Sequence, residues 1–298
     1  MFKDLVAQKL VVEKRQGDLR VLKFQKRVFF KNLWDLDPLL IEARGIVLDD
    51  DDQIVQMPFK KIWNHFERGI KIDRDRKVQA IRKVNGFLAV ATLHKGSLLV
   101  STTGSTQGPY VEMARKWVDK PGIRRMLEAN PTHSFMFEVV DPDDQILHPI
   151  QEESGAYLIG AREKKIGAPL ESEETLDTIS DLGELDGELK RPDVMVAGFG
   201  KMQELAKTAK FEGWIVRDAQ TGIVLCKLKS NFYLMKKALM RTNRATAGRW
   251  WKNPGAARQE LGEIFYPLLE KISADFTSET WADLSNAEKF ERMSHYGK

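Results

Sequence analysis

The chain has 298 residues, of which 42% are hydrophobic and 30% are charged, a composition typical of a globular protein with a sizeable core. Its apolar runs are far shorter than the ~18 residues that a membrane-spanning helix needs, which excludes a helical membrane protein. The N-terminal residues mix charged with apolar side chains and lack the apolar core of a signal peptide. The single cysteine, Cys226, can form neither an internal disulfide nor a cysteine zinc site. We therefore expect a cytoplasmic protein with no membrane association.

The net charge of +4 is modest, but the charges are segregated along the chain. Residues 227–252 carry eight Lys and Arg side chains and no Asp or Glu, with Phe232, Tyr233, Trp250 and Trp251 interleaved. Residues 171–188 are acidic and contain no Lys or Arg. Such segregation favours a polyanionic partner on one face, although a run of charges also forms wherever a helix face is only solvated.

In chain order, the pattern begins with short strands and ends in helices. The predicted strands cover residues 21–24, 27–30, 45–48, 54–55, 78–81, 87–90, 98–100, 134–140, 157–160, 214–216 and 223–226. Four aspartates at 49–52 form a solvated hairpin turn, and Asn85-Gly86 predicts a tight turn within a meander over 78–101. One helix is predicted over 110–129, with a break at Pro121-Gly122. A second helix is predicted to end at residue 210, and the pattern after Phe232 is again helical. The architecture is α+β.

Lys83 is the first candidate for chemistry because it opens the run Lys83-Val84-Asn85-Gly86. A lysine attacks a phosphorus atom only when it is unprotonated, so burial or neighbouring cations must lower its pKa from about 10.4. Gly86 leaves room for the backbone to approach a triphosphate. The alternative is an ordinary surface lysine beside a hairpin turn.

Two acids and a pair of lysines follow downstream. Glu138 ends the apolar run Phe135–Phe137, and Glu212 precedes the strand at 214–216, so each either binds a ligand or caps a strand end. Lys227 and Lys229 are two residues apart on a strand and therefore point the same way. Two ammonium groups on one face are costly without an anion between them. A triphosphate would supply that anion, and a solvated edge strand is the alternative.

In this order, the Lys-x-Asn-Gly box, Glu138, Glu212-Gly213 and Lys227-Leu228-Lys229 resemble the lysine nucleotidyltransferase superfamily. The chain is similar to the ATP-dependent RNA ligases of the phage T4 RNA ligase 1 family. Further segments resemble that family at residues 40–47, 58–64, 101–105, 157–162 and 211–216. The resemblance extends from about residue 20 to residue 235.

The resemblance implies an α+β fold with an antiparallel-sheet nucleotidyltransferase domain, of the ATP-grasp-like adenylation type, over residues 1–240. A small helical C-terminal domain follows over residues 241–298. ATP and Mg²⁺ are the implied cofactors. Lys83 would form the lysine–AMP phosphoramide, beside Gly86. Arg44 and Lys61 would contact the triphosphate tail, and Lys227 and Lys229 would contact the α-phosphate. Glu138 would hold the ribose, and Glu212 would orient metal-bound water.

The implied activity joins RNA 5′-phosphate and 3′-hydroxyl ends through lysine–AMP and RNA-adenylate intermediates. The sequence departs from the namesake at Asn85, which stands in place of Asp, at Phe24, which stands in place of an aromatic hydroxyl, and in its shorter tail. A DNA ligase or a capping guanylyltransferase is an alternative, but both normally add an OB-fold, and the ~70 residues after Lys229 have a helical pattern. A non-catalytic RNA-binding relic would have damaged boxes, and these are intact.

The expected partner is RNA with 5′-phosphate and 3′-hydroxyl ends, which separate end-healing kinase and phosphatase enzymes prepare. We expect a monomer in the cytoplasm of a bacterium or a phage-infected host cell. The basic, aromatic segment 236–252 is expected to be an RNA platform, with cations on phosphates and aromatic rings on bases.

Overall fold

The computed structural model describes residues 1–65, 67–145, 148, 150–184, 187, 189–253, 257 and 266–296. The chain forms two compact units, each built from separate stretches of sequence. The first unit contains Met1–Ile62, Phe87–Asp141 and Ser154–Pro192. The second unit contains Trp63–Gly86, Pro142–Glu153 and Asp193–Lys298.

The secondary structure contains strands and helices until residue 230 and only helices in the part of the chain that is described beyond it. The strands are β1 (Val11–Gln16), β2 (Leu19–Phe24), β3 (Arg44–Leu48), β4 (Ile54–Gln56), β5 (Lys77–Arg82), β6 (Phe87–His94), β7 (Ser97–Ser101), β8 (His133–Val140), β9 (Gly155–Glu163), β10 (Leu189–Lys190), β11 (Val194–Gly198), β12 (Gly213–Asp218) and β13 (Val224–Lys229). The helices are α1 (Lys3–Ala7), α2 (Lys26–Phe30), α3 (Leu39–Glu42), α4 (Pro109–Val118), α5 (Pro121–Ala129), α6 (Pro142–Gln145), α7 (Glu173–Glu184), α8 (Phe199–Thr208), α9 (Asn231–Met240), α10 (Arg244–Lys252), α11 (Tyr266–Asp275), α12 (Ser278–Asp283) and α13 (Asn286–Tyr296). Short 3₁₀ helices cover Leu33–Leu36 and Glu67–Gly69.

The first unit contains two sheets, with strand orders β1-β2-β3-β4 and β10-β9-β8-β6-β7. Strand pairing is antiparallel except between β10 and β9. Strand β8 is buried on both faces, which explains its continuous apolar sequence. Phe135 and Phe137 face a core shared with α4, α5 and α7, whereas Met136 packs with Phe59 on the opposite face.

Glu138 lies inside β8 rather than at its end. The strand continues to Val140, and Glu138 is only 8% exposed. Alternation along the strand places its side chain on the face of Met136. The predicted strand over 134–140 is therefore confirmed, because Val139 and Val140 continue the hydrogen-bonded ladder with β9. The alternative that Glu138 caps a strand end is wrong.

The second unit contains one antiparallel sheet of order β11-β5-β12-β13. Helix α8 covers it, and its Phe199 and Met202 pack against Val78, Ala80 and Val216. A separate helical core follows, in which Leu239 of α9 and Trp250 of α10 pack with Trp281 of α12. The predicted α+β class, with antiparallel sheets and a small set of C-terminal helices, is confirmed.

Two predicted elements are wrong. Residues 27–30 form part of helix α2 instead of a strand, because Val28 alone is buried and its neighbours on both sides are exposed. The predicted meander over 78–101 is also wrong at Asn85-Gly86, since β5 and β6 belong to different sheets. Asn85-Gly86 therefore connects two sheets instead of closing a hairpin.

Helix α9 contributes Met235, Leu239 and Met240 to the C-terminal helical core. The division of the chain into residues 1–240 and 241–298 stays a prediction. Within the described residues, no helix combines the length and the apolar character needed to cross a bilayer.

Candidate active site

Lys83 follows directly on the central strand β5. Its backbone N–H donates to the carbonyl of Gly213 at 2.8 Å, which continues the β5–β12 ladder by one residue beyond Arg82. Its Nζ lies 3.1 Å from Oε2 of Glu212 and 3.4 Å from the carbonyl oxygen of Val84. The sheet therefore fixes both the backbone and the ammonium group of Lys83.

Glu212 is the buried acid of this site, with only 3% of its side chain exposed. One carboxylate oxygen pairs with Lys83, and the other lies 3.4 Å from Nζ of Lys229. Burial raises the pKa of Glu212, but the charges of Lys83 and Lys229 outweigh it and bring the pKa below its usual value. Glu212 is therefore a carboxylate held between two lysines.

Lys229 ends strand β13, where the predicted alternation is confirmed. Cys226 and Leu228 face the buried core, and Lys227 and Lys229 share the opposite face. Burial lowers the pKa of Lys229, and the carboxylate of Glu212 counteracts this. The protein thus supplies an anion for Lys229 from its own chain.

The outer edge of β13 is not open to solvent along its length. The backbone N–H of Lys227 donates to the carbonyl of Trp63 at 2.8 Å, and its carbonyl accepts from the N–H of His65 at 3.0 Å. Residues 63–65 therefore extend the sheet beside β13, which argues against a merely solvated edge strand.

Gly213 explains why a glycine follows the acid. Its φ is +130°, and a Cβ built there would lie 2.1 Å from the carbonyl oxygen of Leu228 and 2.7 Å from Cα of Lys229. Strands β12 and β13 approach too closely at this point for any side chain. This close approach holds Glu212 beside Lys229 while the Gly213 carbonyl binds Lys83.

Helix α9 adds cations that the sequence analysis did not assign to the site. Ser230 caps the helix by accepting from the N–H of Tyr233. Tyr233, Lys237 and Arg241 follow at intervals of four residues, so they share one helix face. Nζ of Lys237 donates to the hydroxyl of Tyr233 at 3.0 Å, and Nζ of Lys229 lies 4.7 Å from the Tyr233 ring centre. The signal that identifies them is this i, i+4, i+8 spacing in a predicted helix.

Lys237 occupies an unfavourable environment for a charge. Burial and the nearby charges of Lys229 and Arg241 lower its pKa to about 8, although Glu212 opposes this. Burial also raises the pKa of Tyr233. An anion bound beside Lys237 would relieve this repulsion.

These residues line a cavity of about 320 Å³. Its lining contains four cationic side chains, those of Lys83, Lys229, Lys237 and Arg241, and one carboxylate, that of Glu212. The other lining residues are Asn85, Gly86, His148, Tyr233, Met240 and Asn286. The imidazole of His148 lies 2.6 Å from Oδ2 of Asp144 and 3.3 Å from Oδ1 of Asn85. The excess of positive charge and the volume fit a small anionic ligand.

The remaining predicted site residues lie in the first unit. Arg44 opens β3, and burial lowers its pKa while the charge of Glu138 raises it, which shows that these two are electrostatic neighbours. Nζ of Lys61 lies 5.6 Å from the ring centre of Phe29 and 5.9 Å from that of Trp34. Lys83, Gly86, Glu212, Lys227 and Lys229 lie in the second unit.

A divalent cation would find only part of its ligands in the protein. Among the described residues, no group of three or more His, Cys, Asp and Glu side chains is close enough to hold a metal. Mg²⁺ is commonly held by one or two carboxylates together with substrate phosphates and water. Glu212 fits that role, in which the ligand would bring the remaining oxygens.

The predicted RNA platform at 236–252 is wrong in its aromatic part. Trp250 is 4% exposed and packs in the C-terminal helical core. Trp251 also packs against that core, and its Nε1 donates to the carbonyl of Phe276 at 2.8 Å. These rings stabilise the helices and are not available to stack on bases, because their spacing places them on the buried face.

Comparisons with known proteins show the fold. No family model matches the chain, and no curated protein matches it by sequence. An archaeal ATP-dependent RNA ligase in its form 1 is similar with a TM-score of 0.59 and 17% identity, covering 99% of this chain and 74% of that one. Its form 2 gives a TM-score of 0.58 and 18% identity over 92% and 78% of the two chains.

A putative ATP-dependent DNA ligase from Aquifex aeolicus is similar to the same degree. Its TM-score is 0.60 at 15% identity, and the match covers 98% of this chain and 75% of that one. The chain therefore has the fold of ATP-dependent RNA and DNA ligases. The narrower resemblance to the phage T4 RNA ligase 1 family stays a prediction.

We expect Gly213→Ala to lower the free energy of unfolding by about 3 kcal/mol or more, because the new methyl group overlaps the backbone of β13. Urea denaturation measures this change. Gly222→Ala is the matched control, since Gly222 also has positive φ, +69°, but no atom lies within 4 Å of its built Cβ. Equal losses in the two variants would contradict the close-approach argument.

We expect the stability of Lys237→Met relative to the parent to depend on pH. The pKa of Lys237 falls from 10.5 to about 8 on folding, so between these values the unfolded chain binds more protons and the parent gains stability as pH rises. Below pH 8 Lys237 stays protonated in the folded parent, where burial and the charges of Lys229 and Arg241 disfavour its positive charge. The stability of Lys237→Met relative to the parent should therefore be greatest below pH 8 and should decrease towards pH 10.5.

Urea denaturation across this pH range tests the expectation. Lys201→Met on the exposed surface of α8 is the matched control for replacing a lysine by methionine. A stability difference between parent and Lys237→Met that stays constant with pH would contradict it.

Proposed function

We propose that the chain is an ATP-dependent RNA ligase that joins RNA 5′-phosphate and 3′-hydroxyl ends. The observation that carries this proposal is the ion pair of Lys83 with buried Glu212, in a cavity that Lys229, Lys237 and Arg241 also line. The ordered boxes of the sequence and the fold shared with ATP-dependent ligases support it.

In the first step, Nζ of Lys83 attacks the α-phosphorus of ATP. A nitrogen–phosphorus bond forms, the bond to the leaving pyrophosphate breaks, and the proton of the lysine passes to solvent water. Glu212 is a weak base because its pKa is lowered, so it orients the Lys83 amine more than it removes that proton. Lys229 and Lys237 stabilise the charge on the phosphate oxygens.

Mg²⁺ would supply Lewis-acid stabilisation of the phosphate oxygens, and Glu212 is the side chain of the second unit that would hold it through water. We propose that Arg44 and Lys61 bind the triphosphate tail and that Glu138 binds the ribose. Lys227 and Lys229 bind the α-phosphate, and Gly86 leaves room for it. Later steps transfer AMP to the RNA 5′-phosphate and release it when a 3′-hydroxyl attacks.

DNA ligation is the second candidate, because one structural neighbour is named a putative ATP-dependent DNA ligase. The ordered boxes of the sequence, which resemble those of RNA ligases, favour RNA. A non-catalytic RNA-binding relic is less favoured, because the cavity retains both Lys83 and Glu212. A capping guanylyltransferase would use the same lysine and acid, and labelling with GTP distinguishes it.

The proposed partners are RNA with 5′-phosphate and 3′-hydroxyl ends and separate end-healing enzymes. We propose a monomer in the cytoplasm of a bacterium or a phage-infected cell. We further propose that residues 1–240 form the adenylation domain and residues 241–298 a helical domain.

We expect the parent to become labelled by α-labelled ATP with magnesium, and Lys83→Ala to remain unlabelled, because the nucleophile is gone. Gel autoradiography measures the label, and a chase with 5′-phosphorylated RNA or DNA identifies the acceptor. Lys201→Ala is the control and should label fully. Label on Lys83→Ala would refute the assignment, label from GTP would indicate capping, and transfer to DNA alone would indicate DNA ligation.

We expect Lys229→Ala and Lys227→Ala to slow adenylylation at least a hundredfold, because each removes a cation that stabilises phosphate charge. Quench-flow kinetics of label incorporation measures the rate, with Lys201→Ala as control. A near-normal rate in either variant would exclude that lysine from the reaction.

A further inference from the structure

Helix α2 carries an unusual pair of exposed aromatic rings. Phe30 is 77% exposed and Phe29 is 48% exposed, although both are large apolar side chains. Their rings lie 5.6 Å apart in an edge-to-face arrangement. Apolar surface of this kind commonly marks a binding site. We name the exposed side chains of Lys26, Arg27, Phe29, Phe30 and Lys31 the α2 platform.

Contacts with neighbouring residues hold helix α2 in place. Val28 is fully buried, and the adjacent Trp34 packs edge to face on Phe24 with ring centres 4.8 Å apart. The guanidinium of Arg27 donates to the carbonyl of Gln8 at 2.7 Å. Fixed rings lose little conformational entropy when they bind a flat ligand.

The charged side chains of α2 itself are all positive, whereas Asp35 lies on the adjacent 3₁₀ helix and Arg20 pairs with Asp52 and Glu13. Residues 19–34 contain Arg20, Lys23, Lys26, Arg27 and Lys31 and no Asp or Glu. Lys26, Arg27 and Lys31 are exposed at α2. Nζ of Lys61 adds a further cation 5.6 Å from the ring centre of Phe29. Asp35 follows only beyond this stretch.

Exposed rings among cations match single-stranded nucleic acid. Every unpaired base offers a flat face for stacking, and the backbone offers a phosphate per nucleotide. Double-stranded nucleic acid hides its base faces, so it would leave Phe29 and Phe30 unused. A protein partner that matched this charge would need an acidic apolar surface.

We infer that the α2 platform binds single-stranded RNA, with Phe29 and Phe30 stacking on unpaired bases and Lys26, Arg27 and Lys31 contacting phosphates. The identity of the strand as RNA rests on the proposed function. The platform takes the role that the sequence suggested for residues 236–252. It serves the steps that involve RNA and leaves the adenylylation of Lys83 unaffected.

The first test measures binding of a fluorescent single strand of about 12 nucleotides by anisotropy. Phe29→Ala and Phe30→Ala should each weaken binding roughly tenfold, because each removes a stacking ring. A matched abasic strand should bind parent and variants equally. Ile223→Ala is the control, since Ile223 is 64% exposed and lies on the β12–β13 hairpin.

The second test varies salt. The double variant Lys26→Gln, Lys31→Gln should reduce the slope of log K against log salt concentration by about 0.7 for each lost phosphate contact. Lys201→Gln on α8 is the control and should keep the parent slope. An unchanged slope in the double variant would overturn the phosphate contacts.

Adenylylation with labelled ATP separates this inference from the proposed function. If the parent binds RNA through the α2 platform but is not labelled by ATP, the inference on RNA binding stands and the proposed ligase activity is refuted. Phe30→Ala should label normally and ligate poorly, since Phe30 is 77% exposed, whereas the Phe29 ring lies beside Lys61. Unchanged RNA binding in both variants overturns the platform. Sedimentation that shows a dimer of the parent, lost in Phe30→Ala while RNA binding persists, would assign the surface to a second copy instead.

Discussion

The buried carboxylate of Glu212 is the constraint on which the candidate active site depends. A buried anion is costly unless cations pair with it, and both of its oxygens are paired, one with Lys83 and one with Lys229. These three residues come from the end of β5, the start of β12 and the end of β13. The geometry is possible only because Gly213 lets β12 and β13 approach closely. The position of Lys83 is therefore a property of the sheet.

One carboxylate does not neutralise the positive charge around it. Lys237 and Arg241 face the same cavity, and the lowered pKa of Lys237 shows that the protein keeps repelling cations together. Such an arrangement lowers stability in the absence of an anion and favours the binding of one. This trade between stability and function is typical of sites that bind phosphates. It also explains why helix α9, outside the recognised boxes, belongs to the site.

Aromatic residues among basic ones have two different roles in this chain. Trp250 and Trp251 pack in the core of the C-terminal helices, whereas Phe29 and Phe30 are exposed on α2. Both segments look alike as sequence, since each mixes Lys or Arg with aromatic rings. The difference is whether another element covers the aromatic face. Periodicity shows that a face exists, but it does not show what lies against it.

The sequence by itself determined the local features of this protein. Alternation along β13 placed Lys227 and Lys229 on one face, and Pro121-Gly122 divided two helices. These succeed because each depends on neighbouring residues. Only the tertiary structure paired Lys83 with Glu212, which are 129 positions apart in the sequence.

The tertiary structure also separated β5 from β6 and made residues 27–30 helical. It buried Glu138 inside β8 and brought Lys237 and Arg241 to the cavity of Lys83. None of these follows from local pattern, because strand partners and the covering of a face depend on packing between distant segments. A turn signal such as Asn85-Gly86 fixes a bend in the chain but not the sheet that the next strand joins.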